Sequence, residues 1–116
     1  MKVENLAVWE KSVDLVLEIY QQTKDFPSEE KFGLTSQMRR SVISIPSNIS
    51  EEYGRRGDGE FLRFLGMSRG SLCELETQVI IAQKLGFLKN NQDLLEKISE
   101  IHKMIHALSR KIKQNL

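Results

Sequence analysis

The sequence predicts an all-α protein, an antiparallel up-down-up-down four-helix bundle whose second helix is kinked at Pro46. Three observations carry that prediction. Four segments repeat apolar residues at alternating intervals of three and four, the spacing that turns one stripe of a helix toward a core. The connections between them are short, which favours antiparallel neighbours. No segment shows the strict alternation of a half-buried strand.

In the first segment, Leu6, Trp9, Val13, Val16 and Tyr20 form the stripe, and a helix is expected from Leu6 to Lys24 with Asn5 as its N-cap. Pro27 ends it, because a proline disfavours helical geometry in the residue before it. The second stripe is Leu34, Met38, Val42, Ile45, Ile49 and Tyr53. Pro46 crosses it and removes the amide that would bond the Val42 carbonyl, so Ser41, Ser44 and Ser47 are expected to offer hydroxyls to freed carbonyls. The run from Gly54 to Gly59 breaks the helix and supplies Asp58 as the next cap.

The third helix should be the longest, since Phe61, Leu65, Ser68, Leu72, Leu75, Val79 and Ala82 hold a heptad rhythm. Gly86 stops it by taking the left-handed conformation, with Phe87 packing back on Ile81 or Ala82. Asn90 or Asn91 then caps a fourth helix with the stripe Leu94, Ile98, Ile101, Ile105, Leu108 and Ile112. On helix three, Met67 and Ile81 lie roughly 200 to 240° from the Phe61 stripe, at 100° per residue. Gly66 and Gly70 keep that helix slim. Apolar and small residues on an outer face predict contact with a second subunit through Gly66, Met67, Gly70 and Ile81.

A chain of 116 residues can bury roughly 65 to 70% of its unfolded surface, enough for one core, so a single domain spanning 1–116 is expected. The composition, 40% hydrophobic and 28% charged with two prolines, is globular and not disordered. Apolar runs such as Val79 to Ala82 are far short of the ~20 residues a membrane span needs. The first residues lack the apolar stretch of a secretory signal, and the lone Cys73 fits a reducing compartment. A cytoplasmic location is therefore expected.

Catalytic chemistry finds no foothold, and neither a cofactor nor a metal is expected. His102 and His106 share a helical face at i,i+4, as a zinc site would require, but they lack the glutamate of the metalloprotease motif, and with one cysteine and no other histidine a third ligand would have to be a carboxylate such as Glu100 or Asp93. Cys73 lacks a base tied to it by any sequence feature. The adjacent carboxylates Glu29-Glu30 and Glu51-Glu52 diverge by 100° on a helix and cannot act as an acid–base pair. The glycine-rich segment lacks the Lys-Ser/Thr ending of a phosphate loop. Arg56-Gly57-Asp58 and Asn48-Ile49-Ser50 match an adhesion tripeptide and a glycosylation sequon only by their brevity.

Charge is less even than the net +1 suggests. Residues 1–30 hold three basic and seven acidic groups, leaving +5 for the rest, and six of seven arginines fall between 39 and 69. Arg39, Arg40, Arg55, Arg56, Arg63 and Arg69 are thus candidate nucleic-acid contacts, because guanidinium groups bond phosphate bidentately and stay charged. Equally, Arg39, Arg40, Arg63 and Arg69 could pair with Glu51, Glu52, Glu60, Glu74 or Glu76.

Several strings resemble one family. Leu6-Ala7-Val8-Trp9, Phe26-Pro27, the run from Glu30 to Arg40, Ser44-Ile45-Pro46-Ser47-Asn48-Ile49 and the run from Gly70 to Gln78 are similar to the four-helix-bundle proteins of bacterial rRNA intervening sequences. That family includes the accessory variability proteins of diversity-generating retroelements. The resemblance implies a homopentamer with a central channel, a basic surface that engages nucleic acid in the retroelement branch, and no catalytic residues. Where relatives commonly carry a small residue and glycine around Glu51, this chain has Ser50 and Glu52, which sets negative charge beside Arg55 and Arg56. The expected function is a non-catalytic homo-oligomeric accessory protein that binds RNA or DNA through its arginines; the alternative is a protein–protein interaction scaffold.

Overall fold

The structure is a computed structural model in which residues 6–52, 57–89 and 92–116 are described. Four helices follow in order: α1 (Ala7–Thr23), α2 (Leu34–Glu52), α3 (Asp58–Lys84) and α4 (Gln92–Lys113), with a short 3₁₀ turn at Ser28–Glu30. The described residues contain no strand. The expected cap at Asn5, the stripe position Tyr53 and the caps at Asn90 and Asn91 lie outside the described residues.

Helices adjacent in the chain pack on one another, and α1 packs on α4 to close the bundle. Paired side chains mark the seams. Lys11 meets Glu100 and Glu18 meets Lys97 between α1 and α4, with numbers rising on one helix as they fall on the other. The long dimension of 46 Å is about what α3 alone spans at ~1.5 Å per residue.

In α2, α3 and α4 the predicted stripes are the core. Met38, Val42, Ile45 and Ile49 of α2, Leu65, Leu72, Leu75, Val79 and Ala82 of α3, and Leu94, Ile98, Ile101, Ile105 and Ile112 of α4 are all buried. Phe61 and Leu108 are partly buried against them.

Helix α1 departs from the expectation by one residue. Its buried stripe is Val8, Ser12, Leu15, Ile19 and Thr23. Trp9 and Val16 are half-buried at the flank of the core, and Tyr20 is exposed. Two of the core positions carry hydroxyls, which made that stripe look polar. Each hydroxyl is satisfied inside its own helix: Ser12 Oγ donates to the Val8 carbonyl at 2.7 Å and Thr23 Oγ1 to the Ile19 carbonyl at 2.8 Å. A buried hydroxyl with a carbonyl partner costs little. The displaced stripe instead lines a shallow groove with α2, where Trp9, Val13 and Val16 face Ile43 and Pro46.

Helix α2 continues through Pro46. Among the described residues no serine hydroxyl bonds the Val42 carbonyl, contrary to the expectation. Ser44 Oγ donates to the Ser41 carbonyl at 2.8 Å, while Asn48 Nδ2 donates to the Ser44 carbonyl at 2.8 Å. At the start of α2, Glu30 Oε1 accepts the Leu34 amide at 3.1 Å. The carboxylate folds over Gly33, where a Cβ would come within 2.9 Å of that same oxygen. Glycine makes the cap sterically open.

The cap of helix α3 lies one residue earlier than expected. Gly57 is the N-cap, without a side-chain bond, and Asp58 is the first helical residue, where a carboxylate still favours the positive end of the helix dipole. Its far end is the predicted glycine stop. Gly86 has φ +81°, its amide bonds the Gln83 carbonyl at 3.0 Å, and the Phe87 amide bonds the Ala82 carbonyl at 2.9 Å. The Phe87 ring meets Phe26, from the α1–α2 connection, at a centroid distance of 5.6 Å. Two connections thereby close one end of the core.

Ser68 joins the two middle helices. It is fully buried in the apolar stripe of α3, and its hydroxyl donates across to the Ile45 carbonyl of α2 at 2.8 Å. A larger side chain would push the helices apart. Ser68→Ala should cost about 1 kcal/mol by loss of one hydrogen bond, and Ser68→Leu about 1–3 kcal/mol by overpacking. Urea unfolding of both variants measures this; equal stabilities would show that the seam has room to spare.

Candidate nucleic-acid interface

The six arginines do not form one surface. Arg39 is half-buried against the end of α1: its Nε donates to Thr23 Oγ1 at 2.9 Å, a terminal nitrogen donates to the Tyr20 carbonyl at 3.4 Å, and its guanidinium stacks 4.5 Å from the Tyr20 ring centroid. It is a clamp between α1 and α2. Arg63 is held by Glu60, three residues before it, at 3.2 Å and lies 4.9 Å from the Phe64 ring centroid. Arg40 and Arg69 are exposed and have no ion pair among the described residues. Arg55 and Arg56 lie outside the described residues. Of the expected arginine–glutamate pairs, the described residues contain Arg63 with Glu60.

Lysines contribute more than the arginine count indicated. Residues 101–116 contain Lys103, Arg110, Lys111 and Lys113 and no Asp or Glu, so the second half of α4 is uniformly basic. Three of these sit in its last turn, where cations also oppose the negative helix end. Arg69 of α3 shares a small hollow with Ser109 and Lys113 of α4. The arginine cluster alone does not reveal that surface; the signal for it in the sequence is the acid-free run after Glu100.

The first half of α4 is the opposite. With α1 it lines a groove holding Asp14, Glu18, Asp93, Glu96 and Glu100 against Lys11 and Lys97. Lys97 bonds Glu18 at 2.8 Å and Asp93 at 3.2 Å. These bonds, Glu18 first, raise its pKa above the ordinary lysine value. A raised lysine contributes stability that is complete at neutral pH and is lost as pH rises through the raised value. Because the group is exposed, that contribution is small.

The four expected interface residues divide as well. Gly70 and Ile81 line a hollow toward α2 together with Gln37 and Gln78, whose Oε1 is buried without a hydrogen-bond partner among the described residues. Gly66 lines the hollow toward α4. Met67 and Ile81 are 46% and 42% exposed, in the same range as Ile43 and below Leu17 and Phe32.

One contact was invisible in the sequence: Cys73 Sγ lies 4.0 Å from His102 Nε2, across the α3–α4 seam. His106, one turn further, is exposed. Among the described residues no group of three or more histidine, cysteine or carboxylate side chains could hold a metal ion. No described helix is long and apolar enough to cross a membrane.

These features define an all-helical bundle in which α4 carries acids in its first half and only cations in its second. Residues 4–107 match the family described as 23S rRNA-intervening sequence protein. The chain belongs to that family. Its fold is similar to the crystal structure, at 1.70 Å resolution, of a protein with unknown function from the S23 ribosomal protein family of Bacteroides thetaiotaomicron VPI-5482, with a TM-score of 0.77 and 20% identity over 88% of this chain and 97% of the other. At that identity the likeness shows the fold. Comparison with curated proteins gave no match.

The two neighbouring arginines of α2 should separate under mutation. Arg39→Gln is expected to lower stability by about 1–2 kcal/mol, through a lost ring contact and lost charged hydrogen bonds. Arg40→Gln should stay within about 0.5 kcal/mol of the parent chain. Thermal unfolding of both decides it; equal effects would remove the clamp.

Proposed function

We propose that this chain is a non-catalytic accessory protein that works as a homo-oligomer, of five subunits as the family resemblance implies, and binds RNA or DNA through a basic surface. The observation that carries the reading is the charge segregation. Arg40 and Arg69 are exposed without ion pairs among the described residues, and the acid-free half of α4 extends the positive field beside Arg69. Arg63 adds charge at its edge, while Arg39 serves mainly its own bundle. A phosphate backbone is the polyanion such a surface suits, and a ring would repeat it once per subunit.

The self-association reading rests on α3. Gly66 and Gly70 sit inside a long helix although a Cβ at either would meet nothing within 4 Å. Each costs the helix roughly 1 kcal/mol relative to alanine, with no internal reason for it. Close approach of a second subunit beside Met67, Gly70 and Ile81 supplies one.

A protein–protein scaffold is the second reading, favoured by the intramolecular partners of Arg39 and Arg63. Binding to a mixed RNA and DNA pool at low and moderate salt separates the two. Salt-sensitive binding is expected; none at about 10 μM protein, well inside the usual non-specific range, would favour the scaffold. Mass measurement in solution should give an oligomer, and Met67→Glu with Ile81→Glu should reduce it to a helical monomer. A parent chain that is monomeric would remove the assembly reading.

A further inference from the structure

We propose that the hollow between α3 and α4 bounded by Arg69, Ser109 and Lys113 is a seat for one phosphate group of a nucleic-acid backbone. The inference deepens the nucleic-acid reading above and rests on it for the identity of the polymer. The hollow has a volume of about 90 Å³, well above the ~10–15 Å³ that a single water needs. Its floor is apolar, formed by Leu62, Leu65 and Ile105, and its rim carries Arg69, Ser109 and Lys113. Gly66 completes the α3 side, where the missing side chain leaves open space.

Several features fit an oxyanion and not another ligand. The guanidinium and the ammonium come from two helices, and neither has a carboxylate partner among the described residues. The residues three and four away from Arg69 on α3 are Leu65, Gly66, Leu72 and Cys73, none acidic. Ser109 is half-buried, and its hydroxyl has no carbonyl partner among the described residues, unlike those of Ser12 and Ser68. A planar fork, a point charge and a hydroxyl donor together suit a group whose negative charge is spread over several oxygens. The apolar floor keeps water from screening them from below. The carbonyls at the end of α4 oppose an anion, but Arg110 and Lys111 in the same turn offset that end of the dipole. At 100° per residue Arg110 lies about 60° from Lys113 and continues the positive surface outward, where the next phosphate of a chain would run, whereas Lys111 lies on the other side of α4.

The test uses the full chain with two probes, inorganic phosphate and an unstructured single-stranded RNA oligonucleotide. Phosphate should shift the NMR signals of Gly66, Arg69, Ser109 and Lys113, with those of the α1–α4 groove unmoved. The oligonucleotide should bind with an affinity that falls with salt. In Arg69→Gln/Lys113→Gln that affinity should drop about ten-fold or more, and the salt slope should shrink by ~0.7 to 1, the share of one phosphate contact. Lys84→Gln, an exposed lysine at the far end of α3, serves as the control and should leave both unchanged. Phosphate shifts without oligonucleotide binding would keep the seat and overturn the nucleic-acid reading. Oligonucleotide binding that the double variant retains at full affinity and slope would overturn the seat and keep that reading. Absence of phosphate shifts at these four residues would overturn the seat by itself.

Discussion

Ser68 donates its hydroxyl to the carbonyl of Ile45, one residue before the proline inside α2, and that contact sets the register of the two middle helices. α3 touches both α2 and α4, so its rotation decides what every other seam presents. At 100° per residue, a shift of one residue would carry Ser68 off the core line and move Arg69 away from α4. The small buried side chain lets two helices approach, and its hydroxyl spends its only donor on a carbonyl. Only then do Gly66 and Arg69 face Ser109 and Lys113, and Gly70 and Ile81 line the hollow toward α2.

Around that fixed register, charge is distributed by position along the bundle and not by net amount. The α1–α4 groove gathers five carboxylates and two lysines, and its lysines are engaged in ion pairs with Glu100, Glu18 and Asp93. Beyond Glu100 the same helix carries cations alone. A net charge of +1 therefore conceals a local field, and local fields are what a polyanion meets at contact distance, since salt screens beyond ~10 Å at ordinary ionic strength. Arg39 shows the converse: a cation in the right stretch of sequence can be consumed by packing.

Most of the fold was legible in the sequence because three stripes are built from Leu, Ile, Val and Met at helical spacing, and burial follows hydrophobicity there. In α1 the buried stripe lies one residue away from the more apolar one because Ser12 and Thr23 occupy core positions and hide their polarity in i−4 carbonyl bonds. Its two apolar stripes, one toward the core and one toward the α2 flank, are not separable by periodicity alone. The glycine stop at Gly86 was legible because its mechanism is local. Partnerships across helices were not: Arg39 with Thr23, Cys73 with His102 and Arg69 beside Lys113 depend on helix rotation, which no sequence spacing states. Of these, only the basic half of α4 left a trace in the sequence, as a run without acids.

Under the proposed function, the basic end of the α3–α4 seam, and not the acidic groove, meets nucleic acid. Amine labelling of the chain with and without an RNA oligonucleotide, read lysine by lysine by mass spectrometry, tests it most directly. Lys103 and Lys113 should become protected while Lys11 and Lys97 react as before. Protection spread evenly over all lysines, or absent at Lys113, would contradict the account.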